Sequence, residues 1–78
     1  MTVHELKILP EYYIQVLMHK KLFELRKNDR NFKTGDILLL KEWSPLDGYS
    51  GNCLTKKIVY ILENCTGLEN GFVILSIV

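Results

Sequence analysis

Residues 19–30 read HKKLFELRKNDR, and the spacing of apolar side chains changes across them. Just before this stretch Tyr13, Ile14, Leu17 and Met18 recur at helical spacing. From Lys21 to Lys27 the pattern alternates instead, Phe23 and Leu25 against Glu24 and Arg26, which is the period of a strand. A helix therefore hands over to a strand here. Charge gathers at the same place. Six of the ten Lys and Arg residues (Lys20, Lys21, Arg26, Lys27, Arg30 and Lys33) fall between positions 19 and 33, opposed only by Glu24 and Asp29. The window carries an excess of four positive charges in a chain whose formal net charge is +1.

On the N-terminal side, Val3 to Leu9 alternates His4, Leu6 and Ile8 against Val3, Glu5 and Lys7, a strand with Leu6 and Ile8 inward. Pro10 suits the first helical position, where its missing N–H costs nothing. Glu11 in the first turn and His19 and Lys20 near the end match the helix dipole, so a helix is predicted from Pro10 to Met18. On the C-terminal side, Asn28 to Gly35 is polar and reads as a loop. Asp36 to Trp43 holds four consecutive apolar residues and reads as a strand covered on both faces. Ser44 to Gly51 is turn-rich. Cys53 to Glu63 predicts a long strand, Asn64 to Gly71 a turn, and Phe72 to Val78 a closing strand.

The expected order is β-α-β-β-β-β, in the α+β or mainly β class. The loops after the helix are too short for crossover helices, which favours antiparallel pairing. About five strands and one N-terminal helix predict a small, partly open β-barrel, with the helix plugging or flanking one end and closure protecting the strand edges. At 78 residues the chain reads as a single domain, residues 1–78, burying roughly 60% of its unfolded surface. No apolar run approaches the ~20 residues of a membrane span. His4, Glu5 and Lys7 interrupt any signal-peptide pattern, so a cytoplasmic chain without a membrane partner is expected. Cys53 and Cys65 read as free thiols. They lie too scattered from His4 and His19 for paired ligand spacing, so neither a metal nor a cofactor is expected.

The segment from His19 to Arg26 resembles the ASCH-domain signature G-x-K-x-x-E-x-R, which likewise follows a helix and opens a strand. The ASCH family belongs to the PUA-like superfamily of small β-barrels. HELKILPEYY near the start, FELRKNDR followed by GDILLLKEW, and the terminal GFVILSIV extend the likeness over nearly the whole chain, toward a compact ASCH-related family of phage and bacterial proteins. His19 replaces the signature glycine, whereas Lys21, Glu24 and Arg26 are all present. A histidine can enter the left-handed region that glycine favours, at some energetic cost.

The resemblance implies RNA binding, and the basic window gives an independent electrostatic reason for a nucleic-acid partner. Strand periodicity puts Glu24 and Arg26 on one face, with Lys21 at the junction. Arg26 offers a planar fork to phosphate or a base edge. Lys21 offers a compact charge, and Glu24 an acceptor for an exocyclic amine or an anchor for the two cations. Lys27, Arg30 and Lys33 would extend the positive surface, and Trp43 and Tyr49 could supply stacking faces. The same residues admit a structural reading: an ion pair on a barrel wall, solvated lysines, Trp43 as a core aromatic at the barrel end, Tyr12 and Tyr13 as helix packing, Asp36 as a turn organiser, and His4 and His19 as isolated surface or packed residues.

The leading expectation is an RNA- or single-stranded nucleic-acid-binding module, monomeric or weakly homodimeric. The alternative is a small hydrolase acting on RNA or a modified nucleoside. Its candidate catalytic residue is Lys21, with Tyr49 and Ser76 as possible companions. A third reading takes Phe72 to Val78 as an open sheet edge that pairs with a partner or a second copy.

Overall fold

A computed structural model describes residues 1–78. Strand β1 (Val3–Ile8) leads into helix α1 (Pro10–Leu17), then β2 (Phe23–Lys27), β3 (Ile37–Ser44), β4 (Gly48–Leu62) and β5 (Phe72–Ile77). The five strands form one sheet in the order β1-β3-β4-β5-β2. β1 pairs parallel with β3, and all other pairings are antiparallel. β4 belongs to two ladders. Its N-terminal part up to Lys57 pairs with β3, and its last turn of register, from Ile58 to Leu62, pairs with β5.

The expected element order and class are present, but the sheet is not closed into a barrel. β1 and β2 are its two edges, with no ladder between them. Nor is β5 an edge. It lies between β4 and β2, hydrogen-bonded on both sides, so the C-terminal strand is not open to pairing with a partner. The predicted turn at 44–51 is also shorter than expected. β4 already begins at Gly48, a residue with φ +70 that closes the hairpin after Asp47, whose N–H donates to Ser44 Oγ at 3.0 Å. Glycine adopts that φ without the steric penalty of a Cβ.

Alternation in β1 decides its orientation. His4, Leu6 and Ile8 are buried, while Val3, Glu5 and Lys7 are exposed. The core joins Leu6 and Ile8 to Leu38 and Leu40 of β3, Ile58 of β4, and Val73, Leu75 and Ile77 of β5. Helix α1 contributes Tyr13 and Val16. Burial, together with nearby Glu42 and the Cys53 thiol, pushes the Tyr13 pKa above its ordinary value, so this phenol is a neutral packing group. On β3 Leu38 and Leu40 are fully buried while Ile37 and Leu39 are half-covered, so the strand is shielded unevenly. Phe32, in the otherwise polar loop after β2, also enters the core, and its ring lies edge-on to His4 with centroids 4.8 Å apart.

The helix ends as a left-handed cap. His19 has φ +59, and the N–H groups of Lys20 and Lys21 both donate to the Gln15 carbonyl. With Met18 N–H donating to the Ile14 carbonyl and His19 N–H to that of Val16, three last-turn carbonyls find donors, and the chain reverses into β2. His19 therefore takes a conformation that glycine would adopt most easily. No helix is long and apolar enough to cross a membrane.

Candidate functional site

β2 presents its charged face inward. Glu24 is buried at 3% exposure, whereas Phe23 and Leu25 are 46% and 54% exposed. Alternation alone put Glu24 and Arg26 on one face, and that holds. The side of the sheet taken by that face is the opposite of what hydrophobicity would select. A buried carboxylate needs charged or hydrogen-bonding partners, and Glu24 has both. Lys21 Nζ donates to its Oε1, and Arg26 reaches Oε2 with Nε at 2.9 Å and Nη2 at 2.8 Å. Lys21 also donates to the Phe23 carbonyl at 2.7 Å. Both carboxylate oxygens are therefore occupied, and Glu24 orients two cations rather than offering itself as a free acceptor.

Those cations border a cleft of about 480 Å³ where the helix faces β1 and β2. Tyr12, Lys21, Phe23, Glu24 and Arg26 line it, with Lys7 to Leu9 on the opposite wall. The Lys21 ammonium lies 4.8 Å from the Phe23 ring centroid and 5.6 Å from that of Tyr12. Tyr12, expected as helix packing, is 48% exposed and belongs to this cleft.

A second cleft, of about 470 Å³, adjoins the first and shares Lys7 and Arg26 with it. It lies along the seam between the unpaired edges of β1 and β2. Arginine side chains cross that seam. Arg26 Nη2 donates to the Lys7 carbonyl and Arg30 Nη1 to the Glu5 carbonyl, each at 2.8 Å. Side-chain bonds thus occupy two outward carbonyls of the β1 edge where a barrel would place a ladder. Lys41 and Tyr49 complete the lining, and Trp43 stands beside it with the Lys7 ammonium 4.4 Å from its ring centroid. Lys41 sits 4.8 Å from the Tyr49 ring in the same manner. Trp43 is half-buried and outside the core, so it serves as a platform for a lysine and not as the expected core aromatic.

Of the residues singled out in the sequence, Lys21, Glu24 and Arg26 meet in one cleft, and Arg30 lines the other with Trp43 beside it. Lys27 and Lys33 are exposed and line neither. Lys7 and Lys41 escaped sequence reasoning because they lie outside the basic window and reach the site through β1 and β3. Together the clefts hold five cations (Lys7, Lys21, Arg26, Arg30 and Lys41) against two carboxylates, Glu5 and Glu24. The proposed catalytic companions do not assemble. Lys21 lines the helix-side cleft, Tyr49 the seam cleft, and Ser76 neither.

A second buried carboxylate has a different environment. Asp36 accepts from the N–H groups of Thr2 at 3.2 Å and Lys33 at 3.1 Å, and from His4 Nε2 at 2.8 Å. The hydrogen bond from His4, helped by the two amides and opposed by burial, holds the Asp36 pKa below its ordinary value. His4, expected as an isolated residue, is thus part of a latch.

A family model described as a domain of unknown function, DUF3850, matches residues 3–77. The chain belongs to that family. One curated relative is the "Uncharacterized 12.9 kDa protein in GpA 3′region" of Escherichia phage P2. This DUF3850 chain is 49% identical to it over 41 residues, which cover 53% of the chain and 38% of the phage protein. The match therefore spans well under half of that relative's length.

Proposed function

We propose that this chain is a nucleic-acid-binding module of ASCH or PUA-like kind, with single-stranded RNA as the preferred partner. One observation carries the reading: a buried carboxylate, Glu24, clamps Lys21 and Arg26 at the wall of a cleft flanked by the exposed rings of Tyr12 and Phe23. Such an arrangement pre-orients two cations before a ligand arrives, so little side-chain entropy is lost on binding. It also puts ring surface beside positive charge, the combination that single-stranded nucleic acids use through stacking and phosphate contact. The Lys-x-x-Glu-x-Arg spacing, with a left-handed residue at the helix end, supports the ASCH likeness.

Fluorescence anisotropy with short labelled single-stranded RNA, single-stranded DNA and duplex RNA tests this. The expected result is saturable binding, strongest for single-stranded RNA, with a log–log salt slope near −2 to −3 from about three to four phosphate contacts. Absence of saturable binding to any of the three at low salt would refute the reading.

A further inference from the structure

The seam cleft has a property that its charge alone does not convey: its lining consists mostly of hydrogen-bond donors. The carbonyls of Glu5 and Lys7 point away from β3, because they accept from Arg30 and Arg26. In a strand the N–H and C=O of one residue project to the same side, so the N–H groups of Glu5 and Lys7 face the seam as well. The two arginines occupy the acceptors of this edge and leave its donors. Each guanidinium still has capacity, since Arg26 Nη1 and Arg30 Nη2 have no protein partner. Lys7 and Lys41 stand over the rings of Trp43 and Tyr49, which hold both ammonium groups at the cleft. The single carboxylate in the lining, Glu5, is 63% exposed and lies 3.4 Å from Lys41.

We infer that the seam cleft is a phosphate subsite in which Arg26, Arg30, Lys7 and Lys41, with the free amides of β1, hold one tetrahedral oxyanion. A phosphodiester brings two unesterified anionic oxygens and no donor, the complement of this lining, and guanidinium N–H groups make charge-assisted bonds to such oxygens. The inference rests on the nucleic-acid reading only for the source of the phosphate, a backbone diester whose neighbouring nucleotide enters the helix-side cleft. Shared walls at Lys7 and Arg26 give the two sites continuity.

The test is an NMR titration of the isotope-labelled chain with inorganic phosphate, at constant ionic strength against chloride. Saturable shifts are expected at the Glu5 and Lys7 amides and at the Arg26 and Arg30 Nε–H signals. Arg30→Gln and Lys41→Gln should each weaken phosphate binding about tenfold, the loss of one charge-assisted bond. Lys20→Gln, outside the cleft, should leave it unchanged. If Arg30→Gln perturbs folding, Lys41→Gln, whose side chain is 39% exposed, decides the matter. Shifts that fail to saturate, or that survive both substitutions undiminished, overturn the subsite. A second titration with a short single-stranded RNA separates the two ideas. Phosphate binding without RNA binding would keep the subsite and refute the nucleic-acid reading. RNA shifts confined to the helix-side cleft, without phosphate saturation, would do the reverse.

Discussion

Two carboxylates are buried in this molecule, and their surroundings differ in kind. Asp36 is held by two backbone amides and a buried histidine. Glu24 is held by two long cationic side chains, 18% and 23% exposed, that border open clefts. Backbone donors are fixed by the fold. The Asp36 centre ties the N-terminus, the loop after β2 and the start of β3 together, and its donors have no second use. Lysine and arginine side chains can instead offer their remaining N–H groups to a ligand while Glu24 holds them in position. The two carboxylates are similarly buried; the identity of their donors sets them apart.

The largest expected effect breaks the structural centre. Asp36→Ala removes the acceptor of three donors and leaves the Thr2 and Lys33 amides and His4 without it. Thermal unfolding followed by circular dichroism should show the greatest fall in Tm of the substitutions considered, with RNA affinity of the folded fraction preserved. Acid unfolding sharpens the contrast. The folded pKa of Asp36 lies below its ordinary value of 3.8, so its contribution is fully present above that value and is lost as pH falls through the lowered folded value. Asp36→Asn should flatten the acid limb of the stability curve, measured by urea midpoints across pH.

Arg26→Ala, at the other centre, should weaken RNA binding by about 1.5–3 kcal/mol, the worth of one charge-assisted bond from its free Nη1 to phosphate. Anisotropy titration measures this. Glu24→Gln should cost about 1–3 kcal/mol of stability in urea unfolding, less than the full penalty of a broken buried pair because both cations can turn toward water. RNA affinity should fall with it, which Asp36 variants would not reproduce. The smallest effect concerns the helix end. His19→Gly relieves a positive φ and should stabilise the fold by up to about 1 kcal/mol, net of the added unfolded-state entropy, with Lys21 still in place.

Much of the fold was legible because its local signals agree. Alternation oriented β1 correctly and Pro10 marked the helix start, while His19 takes the left-handed conformation open to it only at some cost. The failures have physical causes. Periodicity gives two faces but not which one is inside, and at β2 an ion triad reverses the hydrophobic choice by burying Glu24 and exposing Phe23 and Leu25. Strand order depends on long-range pairing, so nothing local revealed that β2 returns to the far side of β5, or that arginine side chains would bridge β1 and β2 in place of a ladder. Phe32 looked like one apolar residue in a polar loop, and His4 like a lone histidine, because each acquires its partner only through the fold. Within the site, alternation put Glu24 and Arg26 on one face, and the junction position and the ASCH likeness added Lys21. Lys7 and Lys41 were not, since they come from strands distant in sequence.

The most direct measurement is chemical-shift mapping of the native chain with a short single-stranded RNA. The account predicts saturating shifts at Lys7, Tyr12 and Lys21 to Arg26, with the His4 and Asp36 amides themselves unmoved. Shifts centred on His4 and Asp36, or none at saturating RNA, would contradict it.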